Sequence, residues 1–406
     1  MSTPKPPGAI DFRSLEFLAD PYPYYDRLRA CCPIYPLMPG AWLVTRYLDA
    51  DRILRDPRFG RDFLGGVARR YGRDMSGEPA FRMVNRFMLL MNPPEHTRLR
   101  LLVSKAFGVK QAGDLQRLAM GIAERLIDGF INSGRADLLT VFAYPLPVDV
   151  ICAMLGIGLE DSLLFQAETR ALVKVFELTP LDEAEIEAAN EASAVFEDYF
   201  RSVCRERRKK PGNDLISLLL RTEEGSDRLS EDEIIANVVL LFLAGHETTA
   251  NMLGNALLAL HSHPEQLAAV QSDRALIPRA VTECLRYDSS VHIAARVALE
   301  RVELGEATVQ AGDTIYINLG AANRDPEVFE EPGRFLIQRP ASSRNPLSFG
   351  GGVHYCLAAR LARIELEAAL EALFRRLPRL HIEELHRPRW KPTATIRGLE
   401  SLTASW

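Results

Sequence analysis

A chain of 406 residues, 47% hydrophobic and 25% charged, is long enough for a large core, and no shift in composition divides it, so one domain spanning 1–406 is the simplest organisation. A net charge of −5 and a pI near 6.0 supply no basic field that would draw it to nucleic acid or anionic lipid. Six cysteines scattered without a framework suit a reducing cytoplasm, and neither the proline-rich start nor the longest apolar run, residues 234–244 interrupted by Asn237, serves as a secretory signal or a membrane anchor.

Residues 1–19 read as a mobile tail. A short helix follows over 21–29, then two strands over 34–37 and 42–45 joined through Pro39-Gly40, then a helix over 47–55. The interval 58–87 keeps no sustained period and reads as a long surface segment with one short helix, a kind of segment that is usually functional. Next, Pro93-Pro94 starts a helix that sets His96 and Arg100 on one face. Two cations stacked there suit paired carboxylates, although a lone HxxxR is better explained by a solvated face. Several helices are expected across 115–200, and the basic run Arg205 to Lys210 closes one of them against its dipole, with no nucleic-acid role.

The longest helix begins at Ser230-Glu231-Asp232-Glu233, a capping box, and runs to about His261. In its apolar middle lies Ala244-Gly245-His246-Glu247-Thr248-Thr249, a polar island that is expensive to bury and able to divert the helical ladder. Taken alone, the run is better explained by Thr248 satisfying a carbonyl and Glu247 pairing with a core arginine than by chemistry. Glu283 and Arg286 stand three apart on a later helix, side by side. Arg296 follows Val291-His292-Ile293-Ala294-Ala295 in a segment leading into strands over 297–304 and 314–319, a minor sheet.

The stretch Phe349-Gly350-Gly351-Gly352-Val353-His354-Tyr355-Cys356 runs into a helix over 357–377. A cysteine at or just before a helix N-terminus is favoured as thiolate, and three glycines let backbone approach something flat and bulky. A haem plane ligated by sulfur meets both conditions. No second Cys or His lies at zinc-ligand spacing, and no partner orients a Cys/His nucleophile. Phe349, Gly350, Gly352, His354 and Cys356 together resemble the haem-binding loop of the cytochrome P-450 family. Five such positions would arise by chance on the order of once in ten thousand chains of this length.

The resemblance runs from about Asp20 to the C-terminus and implies a mainly α fold with minor β sheets, a single-domain P-450 architecture whose long central helix crosses over the haem. It implies haem b with Cys356 as axial iron ligand, Phe349, Gly350, His354, Ala358 and Ala244 against the cofactor, and His96, Arg100 and Arg296 on its propionates. Ala358 stands where glycine is typical of the family. The run around Glu247 and Thr248 is similar to the family's oxygen-activation motif, with Thr248 holding oxygen and Glu247 relaying protons. Glu283, Arg286 and Arg334 are expected as a buried structural triad. Met83, Phe87, Leu243, Ala244, Val291, Ile293 and Ile396 are expected to line the pocket for an apolar substrate, a terpenoid, steroid, polyketide or fatty acyl compound of secondary metabolism. Arg70, Arg73 or Arg82 is the alternative anchor if the substrate carries a carboxylate. The implied activity is a cytoplasmic, monomeric monooxygenase performing hydroxylation or epoxidation with O2. Its electrons come from NAD(P)H through an external ferredoxin or flavodoxin and its reductase, docking near Arg344, Arg360 and Arg363. A peroxide-driven peroxygenase and a non-catalytic haem ligand-binding protein are the alternatives.

Overall fold

A computed structural model describes residues 11–12, 14–108, 112–176, 180–224, 227–340 and 344–406. The chain forms two compact units, one from Met1–Phe59, Gln116–Pro147 and Glu247–Trp406, the other from Gly60–Leu115 and Val148–His246. Each is assembled from segments far apart in sequence.

In the first unit, strands Ile34–Met38 and Ala41–Val44 pair antiparallel, turning through Gly40 at φ 73, a conformation glycine adopts without strain. Strand Thr314–Asn318 lies parallel to Ala41–Val44 and antiparallel to Ile293–Ala298, which sets Arg296 opposite Ile315. Phe59–Gly60 is the edge strand of this five-stranded sheet. Helix Tyr47–Arg55 matches the sequence expectation because its apolar residues recur on one face; Tyr47, Ala50, Ile53 and Leu54 pack with Val44, Ile315, Ile317, Phe329 and Leu347. Leu347 is the root of the cysteine loop, so the loop is anchored in this core.

Of the expected mobile tail, residues 1–10 lie outside the described residues. Leu15–Ala19 is a helix capped by Ser14, whose Oγ accepts from the Phe17 N–H at 3.2 Å. Phe17 packs with Tyr22, Tyr25 and Ala321. An apolar pair, Phe17-Leu18, buried on both sides of the short helix, overrides the polar composition of what precedes it.

The second unit corrects the reading of 58–87 as a surface segment. Two helices, Phe63–Tyr71 and Pro79–Asn85, bury Val67, Phe81, Met83 and Val84; half-buried Gly65, Gly66 and Arg70 and exposed Arg69 hid the period of the first, which ends in the turn at Gly72, φ 68. Helix Glu95–Gly108 carries His96 and Arg100. Helix Glu183–Lys209 opens with a capping box on Asp182 and Glu185 and ends in Arg207, Arg208 and Lys209, as the charge run anticipates.

The long helix spans Glu231–His261, 31 residues, about 46 Å at 1.5 Å per residue. Its capping box is formed: the Ser230 N–H donates to Glu233 Oε2 at 2.8 Å and the Glu233 N–H to Ser230 Oγ at 3.2 Å. The helix stays regular through the Gly245–Thr249 island, and its residues belong to the second unit up to His246 and to the first from Glu247.

Candidate functional site

The cysteine loop is fixed at its root by buried hydrogen bonds. The Leu347 N–H donates to Asn323 Oδ1 at 2.7 Å, Asn323 Nδ2 donates to Ser348 Oγ at 2.9 Å, and Ser348 Oγ donates to the Leu285 carbonyl at 2.5 Å. Gly352 sits at φ 65, and a Cβ there would meet the Leu54 carbonyl oxygen at 2.2 Å, so only glycine lets the loop lie against helix Tyr47–Arg55. Gly350, at φ 70, has nothing within 4 Å of where a Cβ would stand. The Cys356 N–H donates to the Phe349 carbonyl at 3.0 Å, closing the loop, and Cys356 is half-buried. Helix Ala359–Arg376 begins three residues later, with Ala358 as an N-cap that makes no side-chain hydrogen bond. Cys356 therefore precedes the positive end of an 18-residue helix. Ala358 has φ −91 and ψ 12, which its methyl accommodates without strain. His354 is half-buried, and the Arg363 guanidinium lies 5.3 Å from the Phe349 ring centroid.

Arg296 is only 3% exposed. Its Nη1 donates to the neighbouring Ala295 carbonyl at 2.9 Å, and burial alone pulls its pKa down to about 10. Among the described residues no carboxylate pairs with it. A guanidinium buried in that way is costly unless an anion meets it.

The long helix is buried on both sides of its midpoint but not at it. Ala244 is exposed and Gly245, Glu247 and Thr248 are half-buried, while Leu243, Thr249 and Ala250 are buried. Nothing stands within 4 Å of a Cβ built on Gly245, so the helix presents open space there. Glu247 accepts at one oxygen, Oε1, from Lys391 Nζ at 2.7 Å and Asn251 Nδ2 at 3.0 Å.

Glu283 and Arg286 form the expected buried pair, with Nη2 to Oε1 at 2.7 Å and Nε to Oε2 at 2.8 Å. The third member is not Arg334. The Arg334 side chain is 63% exposed and pairs with Glu331; what it contributes is its backbone carbonyl, which accepts from Arg286 Nη2 at 2.9 Å. Arg339 completes the triad, its Nε 3.0 Å from both oxygens of Glu283. The turn at Glu331, φ 44, leaves Arg334 outside and brings the chain back so that Arg339 points in.

The sequence of this chain matches the family described as Cytochrome P450 over residues 158–389. It is 39% identical over 372 residues to cytochrome P450 107B1 of Saccharopolyspora erythraea, covering 89% of this chain and 88% of that one. It is 38% identical over 414 residues to the cytochrome P450 monooxygenase PikC of Streptomyces venezuelae, 98% of this chain and 95% of the relative. Among solved structures, P450BioI in complex with hexadec-9-enoic acid ligated acyl carrier protein superposes with a TM-score of 0.87 at 35% identity, over 97% of this chain and 100% of that one. The chain belongs to the cytochrome P450 family. It is an oxidoreductase of the monooxygenase class, mainly helical with minor sheets, and the family implies haem with a cysteine thiolate.

The residues present fit that P450 cofactor on two counts: a half-buried cysteine offered from a glycine loop, and the buried Arg296 guanidinium awaiting a carboxylate. His96, 1% exposed, and half-buried Arg100 lie together on helix Glu95–Gly108 of the second unit. Of the pocket residues expected, Val291 and Ile396 are brought together as an antiparallel bridge, and Ile293 begins the adjoining strand. Met83, Phe87 and Leu243 are buried in the second unit, Phe87 stacked on Phe176 at 6.4 Å. Arg73 is committed to Glu183, Arg82 Nη1 to the Gly77 carbonyl and Arg70 Nη2 to the Val175 carbonyl. Sequence reasoning missed Lys391 and Asn251 beside Glu247; Asn251 stands one helical turn beyond Glu247, a signal that could have been read. It also missed Glu365, buried, whose pKa that burial pushes well above the usual carboxylate range against the Thr249 hydrogen bond.

Proposed function

We propose that this P450 inserts one oxygen atom of O2 into an apolar small molecule of the fatty acyl or polyketide kind, drawing electrons from NAD(P)H through an external ferredoxin or flavodoxin. The observation that carries the reading is the cysteine loop, where Cys356 is presented half-buried ahead of a helix N-terminus by glycines that pack without side chains. Cys356 would ligate the iron, Arg296 would hold a propionate, and His96 and Arg100 are the second unit's candidates for the same role. A thiolate-ligated haem supplies activation of oxygen. The chain's own residues manage protons: Glu247 takes up protons from solvent and passes them toward the Thr248 hydroxyl. Val291 and Ile396, bridged beside Ile293 in the first unit, favour an apolar substrate. The fatty acid carried by P450BioI's partner supports the acyl alternative among those the sequence allows.

Exposed Val353 and Tyr355 on the cysteine loop, with exposed Arg344 and Arg360 nearby in sequence, suit a small acidic electron donor. Arg363 contributes less, because its Nη1 donates to Thr282 Oγ1 at 3.0 Å. No helix among the described residues is long and apolar enough to cross a membrane.

The purified protein, reduced and treated with carbon monoxide, is expected to show the long-wavelength Soret band of a sulfur-ligated porphyrin, and Cys356→Ser to abolish it. An unchanged spectrum in that variant overturns the reading. Fatty acids, their carrier-protein thioesters and macrolactones are then screened for a spin-state change, and turnover with surrogate ferredoxin and reductase is compared with turnover on hydrogen peroxide alone. Product formed on peroxide but not with reductant would replace the monooxygenase reading with a peroxygenase one.

A further inference from the structure

Glu247 is gripped from a part of the chain with no sequence relation to the long helix. Lys391 is 144 positions away, yet its ammonium and Asn251 both donate to Glu247 Oε1, so the carboxylate is oriented as well as charge-paired. The grip is itself supported. Tyr144 donates its hydroxyl proton to Asn251 Oδ1 at 3.2 Å, and its ring lies 5.0 Å from the Lys391 ammonium. The Lys391 N–H donates to the Gly398 carbonyl at 2.9 Å, and Gly398 approaches so closely that a Cβ there would stand 2.1 Å from Asn251 Oδ1. The turn that carries Lys391 is thus pressed against the residue that shares its acceptor. Burial pulls the Lys391 pKa down, but Glu247 and Tyr144 more than offset it, leaving it raised. The ammonium stays charged at neutral pH.

We propose that Lys391 is a positioning residue for proton delivery, holding Glu247 ionised and aimed by one oxygen so that it recharges from solvent and faces Thr248 in a fixed orientation. This rests on the reading of Glu247 as the proton carrier. Lys391 gives up no proton itself; the proton Glu247 passes on is replaced from water. The pair is about one-quarter exposed on each side, open enough for water to reach the carboxylate.

Two measurements test it. In the resting protein, the Glu247 carboxyl band is isolated by infrared difference against Glu247→Gln and titrated. Lys391→Met is expected to move its midpoint upward by about one pH unit or more, while Lys391→Arg leaves it near the parent value. Tyr144 is a further titratable group beside Glu247 and Lys391, its pKa raised by burial and by the Glu247 charge, so Tyr144→Phe is titrated as a control. In turnover, Lys391→Met and Lys391→Gln are expected to lower product formed per NAD(P)H on the order of tenfold and to raise the solvent isotope effect, with rescue by Lys391→Arg and an unaltered reduced carbon monoxide band. An unmoved midpoint in Lys391→Met overturns the proposal. So does normal coupling in Lys391→Met when Glu247→Gln is impaired, which leaves the carrier role intact. Normal coupling in Glu247→Gln removes the carrier role, and this proposal with it.

Discussion

Glu283 and Glu247 each lie on a helix beside a cation, and their surroundings differ in what they leave open. At Glu283, 3% exposed, Arg286 and Arg339 together bond both oxygens, and the Leu336 N–H adds a further bond to Oε1 at 2.8 Å. The remaining arginine N–H groups are spent on carbonyls: Arg286 on Asn323, Pro332 and Arg334, Arg339 on Glu330, Glu331 and Arg334. At Glu247 the Lys391 ammonium and the Asn251 amide both donate to Oε1, and the pair stands about one-quarter exposed on each side. A closed network fixes the chain that passes through it, here the 330–339 segment and, through Leu285 and Ser348, the root of the cysteine loop. A pair left open to solvent holds a charge that can still exchange protons.

Removing one cation from each breaks the comparison most directly. Arg339→Met leaves Glu283 buried with one cation and takes a donor from the Glu330 and Glu331 carbonyls, and is expected to cost about 3–5 kcal/mol, read by denaturant unfolding and by a fall in haem-loaded yield. Lys391→Met, at a site water can reach, is expected to cost about 1 kcal/mol or less while changing coupling. Equal losses would erase the distinction between a structural and a functional ion pair in this fold.

Glu365 sharpens it by showing burial with no cation beside it among the described residues. It lies on helix Ala359–Arg376, 3% exposed, and burial raises its pKa well above 4.5, offset only by the Thr249 hydrogen bond. The folded chain keeps a proton that the unfolded chain releases, so this group's contribution to stability is complete below about pH 4.5 and is lost as pH rises toward the folded value. Glu365→Gln should remove that decline, making the variant gain on the parent between pH 5 and pH 8 by up to about 1.4 kcal/mol per pH unit. Unfolding curves at both pH values measure it; parallel pH profiles would mean that the carboxyl is ionised and paired after all.

What was legible in the sequence was local. The capping box at Ser230, helix Tyr47–Arg55 and the Glu283–Arg286 pair depend on spacings of three or four residues, and the structure keeps each of them. The glycines of the cysteine loop were legible as close backbone approach, although only the structure identifies Leu54 as what Gly352 approaches. The helices at Phe63–Tyr71 and Pro79–Asn85 were not, because Gly65, Gly66 and the arginines dilute a period that tertiary burial nonetheless satisfies. Partners that meet only after folding left no local trace: Lys391 at Glu247, Glu365 at Thr249, and the choice between two arginines five residues apart.

That last choice has the smallest expected effect and the clearest logic. Arg334 serves the triad through its carbonyl, which any side chain preserves, and its guanidinium reaches only Glu331 at 2.8 Å from an exposed position. Exposed pairs of this kind contribute little. Arg334→Ala should therefore change unfolding free energy by no more than about 0.5 kcal/mol and leave haem-loaded yield at the parent level. A loss approaching that of Arg339→Met would mean that the Arg334 side chain turns inward in the loaded protein, and the network around Glu283 would have to be redrawn with three arginines.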